Sequence, residues 1–134
     1  MLEALTKRVL IADDDETARM FVQAVMEGLG WETLEARDGE EALDLAEAEI
    51  PDLIILDVTM PGKDGMEVFH DLRTHYITEK IPIIFLTAIN SRKEGVCYTA
   101  EEIEAAYGVP APEGFVDKPV DGAFLTSCVM GVVG

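Results

Sequence analysis

The stretch from Leu53 to Gly65 constrains the fold more than any other part of the chain. Four consecutive apolar residues, Leu53 to Leu56, run directly into Asp57, and a Pro61-Gly62 turn follows. A short unbroken apolar run is typical of a strand buried on both faces of a parallel sheet. Because burying an unpaired charge is costly, we expect Asp57 at the carboxyl end of this strand, where open α/β sheets bind ligands.

The rest of the chain alternates short apolar runs with amphipathic stretches, which indicates a parallel sheet with crossover helices. The predicted strands are Arg8–Ala12, Trp31–Ala36, Leu53–Leu56, Ile81–Leu86 and Gly114–Asp117. The helices are predicted after Glu16, from Asp38, from Met66, from Thr99, and over Val120–Gly134. We therefore expect a flavodoxin-like, doubly wound α/β fold with helices on both faces, in the common strand order 2-1-3-4-5.

The spacing within the predicted helices indicates their inner faces and their ends. Apolar residues at three-and-four spacing give the first helix an inner face of Ala18, Phe21, Val22, Val25, Met26 and Leu29. Asp38 with Glu41, and Thr99 with Glu102, have the spacing of capping boxes at helix starts. The segment from Ile89 to Tyr98 is polar and irregular, whereas the last helix is unusually apolar.

The charge balance narrows the range of partners. A net charge of −17 repels a phosphate backbone, so we expect no direct nucleic-acid binding, and it favours cationic ligands such as divalent metals. No apolar run approaches the ~20 residues of a membrane span, and no signal-peptide pattern is present, so a cytoplasmic protein is expected. Cys97 and Cys128 lack metal-site spacing and are predicted to be reduced thiols.

Polar residues follow the ends of four predicted strands. Asp13 and Asp14 follow the first, Asp57 the third, Thr87 the fourth and Lys118 the fifth. The carboxyl ends of parallel strands meet at one edge, so these groups should converge. Carboxylates without histidine or cysteine favour Mg²⁺, with Mn²⁺ as the alternative, over zinc. A carboxylate flanked by a metal and a lysine has the chemistry to accept a phosphoryl group.

These motifs, in order along nearly the whole chain, resemble the receiver domain of bacterial two-component response regulators. The resemblance is carried by Ile11 to Asp15, Leu56 to Gly65, Leu86-Thr87-Ala88 and Asp117-Lys118-Pro119. It implies a single receiver domain over residues 1–134, acting as a signalling domain rather than an enzyme. Such domains catalyse their own phosphorylation and dephosphorylation, and they take the phosphoryl group from a histidine kinase, a phosphotransfer protein or a small donor such as acetyl phosphate.

The resemblance also assigns roles to individual residues. Asp57 resembles the phosphoacceptor, with Lys118 paired to the phosphoryl group and Thr87 in contact with it. Asp13, Asp14, Asp57 and the backbone carbonyl of Thr59 are the implied metal ligands, with Asp14 as a direct one. Phe115 matches the position of the family's aromatic switch. The implied switch moves Thr87 toward a phosphorylated Asp57 and turns Phe115 inward.

Two features depart from the family pattern. The span between Thr87 and Lys118 is long, with extra residues around 89–113, and Phe115 lacks the hydroxyl of the commoner tyrosine. No effector domain follows in the sequence, so output is expected through an unknown partner, through self-association as a phosphorylation-dependent homodimer, or through a segment outside this sequence.

Two other functions fit parts of the sequence. Asp13 to Thr17 matches the D-x-D-x-T motif of haloacid-dehalogenase-type phosphatases, in which Asp13 would be the nucleophile and Asp15 the acid/base. That alternative leaves the segment from Asp57 to Gly65 without a role. The other is a receiver-like interaction module that signals without phosphorylation, against which the complete set of acidic, hydroxyl and lysine residues argues.

Overall fold

A computed structural model describes residues 6–58, 65–87, 101, 104–105 and 108–133 of the chain. The strands are β1 (Arg8–Ala12), β2 (Glu32–Ala36), β3 (Leu53–Asp57), β4 (Ile83–Thr87) and β5 (Gly114–Asp117). They form one parallel sheet in the order β2-β1-β3-β4-β5. The described helices are α1 (Glu16–Gly28), α2 (Gly39–Glu49), α3 (Gly65–Thr74) and α4 (Gly122–Val133). The predicted doubly wound fold and its strand order are confirmed.

Each face of the sheet carries its own apolar core, because side chains alternate along a strand. Helices α1 and α4 cover one face, where Val22 and Met26 meet Leu125 and Val129. Helices α2 and α3 cover the other face through Ala42, Ala46, Val68, Phe69 and Leu72. The strands β3 and β4 are therefore buried along their whole length, which explains their unbroken apolar sequences.

The predicted helix starts are largely confirmed. The Asp38 side chain accepts a hydrogen bond from the Glu41 backbone N–H, as the capping box predicts. The Glu41 side chain accepts from the backbone N–H of Arg37, one residue earlier than a reciprocal box requires. Helix α1 is capped by Asp15, whose carboxylate accepts from the backbone N–H groups of Thr17 and Ala18.

Some predicted details were wrong. Phe21 and Leu29 were placed on the inner face of α1 but are 45% and 37% exposed, because the buried stripe of this helix is narrower than its apolar pattern. Strand β4 begins at Ile83, so Pro82 lies outside it, and its carbonyl accepts from the Ile54 backbone N–H at 3.0 Å. The last helix begins at Gly122, two residues later than predicted.

A buried arginine that sequence reasoning missed ties α3 to the loop before β5. The Arg73 guanidinium donates to the carbonyls of Ile81 at 2.8 Å and Ala111 at 3.0 Å. It also pairs with Glu113 Oε1 at 2.6 Å, and the same oxygen accepts from the Ile83 backbone N–H at 2.8 Å. These bonds fix the start of β4 against the approach to β5.

Several predicted features lie outside the described residues: the irregular segment from Ile89 to Tyr98, Cys97, and the capping box of Thr99 and Glu102. Cys128 is a free thiol, as predicted, and burial raises its pKa. None of the helices that the structure describes has the length and apolar character needed to cross a membrane.

Candidate functional site

The carboxyl edge of the sheet brings together the residues that were predicted to converge there. Strand β1 leads directly into Asp13, whose backbone N–H donates to the Ala36 carbonyl at 3.1 Å. Strand β3 ends at Asp57, and β4 ends at Thr87. Strand β5 ends one residue before Lys118, whose backbone N–H donates to the Thr87 carbonyl at 2.7 Å. Parallel pairing therefore positions all four side chains at one edge.

Three carboxylates form an acidic cluster at this edge. Asp13, Asp14 and Asp57 each offer an oxygen within 4.8 Å of the other two. Asp13 and Asp57 are buried, whereas Asp14 is exposed and faces solvent at the rim. Buried like charges at this separation repel one another, so the cluster needs a compensating cation.

Lys118 supplies part of that compensation. Its Nζ lies 2.8 Å from Asp13 Oδ2 and 3.2 Å from Asp57 Oδ2, and it bridges the two buried carboxylates. Burial by itself lowers the pKa of the Lys118 ammonium, but the contact with Asp13 and the charge of Asp57 outweigh this effect and raise the pKa above its ordinary value. The ammonium is therefore charged at neutral pH.

The surroundings of Asp13 raise the pKa of its carboxyl group. Burial raises the pKa of Asp13 from 3.8 to about 6, and the charge of Asp57 adds to this effect. The contacts with Lys118 and with the Asp15 backbone N–H act in the opposite direction and only partly offset it. For Asp13, the effect of burial therefore outweighs the positive charge that Lys118 supplies.

The site fits a hard divalent cation. Asp13 Oδ2 is buried, and within the described part of the chain no donor meets it in hydrogen-bond geometry, although the Lys118 charge lies close by. The cluster offers carboxylate oxygens alone, which is the donor set that Mg²⁺ prefers. Thr59, whose carbonyl was predicted as a further ligand, lies outside the described residues.

Thr87 makes a contact that the sequence did not predict. Its hydroxyl donates to Asp117 Oδ1 on the neighbouring strand at 2.8 Å. Phe115, two residues before Asp117, is half-buried and packs edge-on against Phe85 with ring centroids 5.8 Å apart. No local sequence signal distinguishes Asp117 from other strand-end aspartates, so only the strand register identifies the pair.

Two more residues shape the turn after β1. The Asp15 carboxylate caps α1, which gives this residue a structural role that the phosphatase motif does not require. Arg19, which sequence reasoning missed, donates to the Asp13 carbonyl at 2.8 Å and pairs with Glu35 at 2.9 Å. The signal available in the sequence was the spacing of Arg19, which lies three residues before Val22 and seven before Met26 on the apolar side of the predicted helix.

Fold and site together define a class of protein: a doubly wound α/β domain with an aspartate cluster for a divalent cation at the carboxyl edge of its sheet. Within that class, the chain belongs to the response regulator receiver domain family, whose model matches residues 9–129. It is thereby a phosphoacceptor signalling domain of two-component systems. Receiver domains of this family bind Mg²⁺ through an acidic pocket and interact with histidine kinases or phosphotransfer proteins.

Individual relatives agree with this assignment. The chain is 44% identical over 84 residues to the alkaline phosphatase synthesis transcriptional regulatory protein PhoP of Bacillus subtilis, covering 63% of this chain and 34% of that protein. It is 31% identical over 121 residues to the response regulator PleD of Caulobacter vibrioides, covering 90% of this chain and 25% of that protein. The chain thus spans about a quarter to a third of the length of these relatives.

Solved structures give the same result for the fold. The chemotaxis protein CheY4 of Vibrio cholerae superposes with a TM-score of 0.78 at 28% sequence identity, covering 95% of this chain and 98% of that one.

Proposed function

We propose that Asp57 is the phosphoacceptor of this receiver domain and that Lys118 is its electrostatic partner. The observation that carries this proposal is the position of Lys118 Nζ, 3.2 Å from Asp57 Oδ2 and 2.8 Å from Asp13 Oδ2 at the carboxyl edge of the sheet. An ammonium in this place stabilises the oxygens of a phosphoryl group on Asp57, because these carry the developing negative charge of the transfer.

Asp13, Asp14 and Asp57 would hold Mg²⁺, with the Thr59 carbonyl as a further ligand, and Mn²⁺ would be an acceptable substitute. When bound, the metal supplies positive charge that neutralises phosphoryl oxygens. The buried Asp13 and the exposed Asp14 have different tasks in this proposal. Asp13 provides a fixed ligand from inside the site, whereas Asp14 provides one that solvent reaches.

The transfer itself is a displacement at phosphorus. A carboxylate oxygen of Asp57 attacks the phosphorus of acetyl phosphate or of a phosphohistidine. The bond from phosphorus to the donor's oxygen or nitrogen breaks, and its electron pair leaves with the donor. Dephosphorylation is the attack of water on the same phosphorus, which returns the Asp57 carboxylate and inorganic phosphate.

Thr87 and Phe115 would transmit the phosphorylation state. The Thr87 hydroxyl would bond a phosphoryl oxygen, and Phe115 would turn with the loop that follows β4. This is a local change of charge that biases an element with two arrangements. The phosphoryl group would come from a histidine kinase or phosphotransfer protein, and an output partner or a second copy of the chain would recognise the changed surface.

The test is the intact mass of the protein after incubation with acetyl phosphate and Mg²⁺. We expect one phosphoryl group on the wild type, none without Mg²⁺, and none on Asp57→Asn. Asp44→Asn removes an exposed carboxylate of α2 and serves as the charge-matched control, which should be phosphorylated like the wild type.

Two results would contradict the proposal. An adduct that survives in Asp57→Asn but is lost in Asp13→Asn would make Asp13 the nucleophile, as in the phosphatase alternative. A wild type that accepts no phosphoryl group, either from acetyl phosphate or from phosphorylated histidine kinases, would leave the phosphorylation-independent module as the better account.

A further inference from the structure

The Thr87 hydroxyl has a well-defined partner on the neighbouring strand. Thr87 is 4% exposed and lies opposite Asp117 in the parallel register of β4 and β5. Its Oγ1 donates to Asp117 Oδ1 at 2.8 Å, while its carbonyl accepts from the Lys118 backbone N–H at 2.7 Å. Both the backbone and the side chain of Thr87 are therefore held by β5.

Strand alternation places this hydrogen bond on the other side of the sheet from the Asp57 carboxylate. Side chains two residues apart in a strand point to the same face of the sheet, so Thr87 shares a face with Phe85, and Asp117 shares it with Phe115. Both phenylalanines belong to the core covered by α2 and α3. Asp57 is in register with Leu86, which belongs to the core covered by α1 and α4. The hydroxyl is thus engaged away from the proposed phosphoacceptor.

A threonine hydroxyl has a single proton to donate. It can serve the Asp117 carboxylate or a phosphoryl oxygen on Asp57, but not both at full strength. We propose that Asp117 is a positioning residue that holds the Thr87 hydroxyl on β5 and competes for it with the phosphoryl group on Asp57. This inference rests on the proposed function of Asp57 and names a residue that tunes how readily the phosphorylated arrangement forms.

The competition between Asp117 and the phosphoryl group for the Thr87 hydroxyl should change the affinity for a phosphoryl mimic by a measurable factor. A hydrogen bond to a charged group contributes more than a neutral one, but solvent hydrates the exposed Asp117 carboxylate once the hydroxyl leaves, and this brings the net contribution toward that of a neutral bond. Removing the acceptor should therefore favour the phosphoryl-bound arrangement by roughly two- to tenfold, the range that a net hydrogen bond supplies. We expect Asp117→Ala to bind beryllofluoride, a phosphoryl mimic, more tightly than the wild type by this factor in the presence of Mg²⁺.

The variants separate the hydrogen bond from the charge of Asp117. Asp117→Asn keeps an acceptor oxygen but removes the charge, so its affinity for beryllofluoride should stay within about twofold of the wild type. Thr87→Val removes the hydroxyl at nearly constant volume, so adding Asp117→Ala in that background should change the affinity little. Titration calorimetry on the full chain gives the dissociation constants, and urea denaturation checks that each variant is folded.

The outcomes are distinguishable. If the wild type neither binds beryllofluoride nor accepts a phosphoryl group from acetyl phosphate, the proposed function fails and this inference fails with it. If the wild type does both and Asp117→Ala binds with unchanged affinity, the inference alone is overturned. Equal tightening in Asp117→Ala and Asp117→Asn, or tightening that persists in the Thr87→Val background, would show that charge rather than the hydrogen bond is responsible and would also overturn it.

Discussion

At the scale of single residues, the site concentrates negative charge. One ammonium, Lys118, contacts two buried carboxylates, Asp13 and Asp57, and Asp14 adds a third negative charge at the rim. A buried charge that lacks full compensation costs free energy, and the raised pKa of Asp13 expresses this cost. The site thus keeps the negative charge of Asp13 at the expense of the free energy of unfolding.

The pH dependence of unfolding should show this cost. Because the pKa of Asp13 is raised to about 6 in the folded protein, the stability linked to its protonation is fully present below about pH 3.8 and is lost as the pH rises through about 6. In the presence of a metal chelator, we expect the free energy of unfolding to fall between pH 5 and pH 7.5 by about 1 kcal/mol more in the wild type than in Asp13→Asn, because only the part of the pKa difference that lies above pH 5 is titrated in this range. Urea denaturation at the two pH values measures it.

Asp14→Asn is the matched control for that experiment. It removes a neighbouring carboxylate that lies in solvent, so it should retain the wild-type difference between the two pH values. If Asp13→Asn showed the same pH dependence as the wild type, the ionisation of Asp13 would not be the source of the effect.

At the scale of elements, the contact between β3 and α3 depends on a glycine. A methyl group placed on Gly65 would lie 2.3 Å from the Val58 Cα and 2.6 Å from the Asp57 carbonyl oxygen. Both are backbone atoms, which cannot swing away as a flexible side chain does. The start of α3 therefore approaches the end of β3 more closely than any other residue type allows, and this approach fixes the backbone of Asp57.

We expect Gly65→Ala to lower the free energy of unfolding by at least about 2 kcal/mol, since the clash forces the backbone to shift. The same variant should accept a phosphoryl group from acetyl phosphate more slowly, because the Asp57 backbone moves with it. Urea denaturation and the time course of intact mass measure the two effects.

Gly131→Ala is the contrasting substitution. A methyl group on Gly131 meets nothing within 4 Å, and the residue lies within α4. Alanine there should leave stability unchanged or raise it by up to about 1 kcal/mol, because alanine favours helices over glycine. A loss of stability as large as that of Gly65→Ala would show that the close approach is not the cause.

At the scale of the whole molecule, the net charge of −17 opposes the compact state. Like charges repel more strongly in the folded protein than in the extended chain, and the repulsion is screened by salt, whose Debye length is about 8 Å at physiological ionic strength. The cluster of Asp13, Asp14 and Asp57 is a place where this excess of negative charge is concentrated. Salt should therefore stabilise the fold by screening the repulsion over the whole surface, and a bound metal should stabilise it by neutralising the carboxylate cluster.

With a metal chelator present at neutral pH, we expect the urea concentration at the midpoint of denaturation to rise as NaCl is added from low to physiological ionic strength. The dependence of the free energy of unfolding on urea concentration should not change. Tetramethylammonium chloride screens charge but has a cation too large for the carboxylate cluster, so it should stabilise to a similar extent. A midpoint that stays constant, or that rises with NaCl alone, would argue against general repulsion.

The sequence by itself determined the class of fold and the residues at the carboxyl edge, whereas the strand order was expected only because it is a common one for folds of this class. These predictions used local properties of the sequence: apolar runs, three-and-four spacing and aspartates at strand ends. Such properties can be recognised within one short segment and do not depend on the rest of the fold. The positions of Asp13, Asp57, Thr87 and Lys118 at the ends of their strands were therefore sufficient to place them at one edge. The sequence also predicted a lysine beside Asp57, whereas the contact of Lys118 with Asp13 emerged only in the structure.

Only the tertiary structure decided how individual side chains are shared. The bond from Thr87 to Asp117 depends on the register of β4 and β5, and the anchoring of Arg73 depends on a loop almost 40 residues away along the chain. Phe21 lies outside the buried stripe of α1 despite its apolar spacing. These contacts and this burial depend on how segments that are far apart in the sequence pack together. The spacing of apolar residues within one segment does not specify that packing.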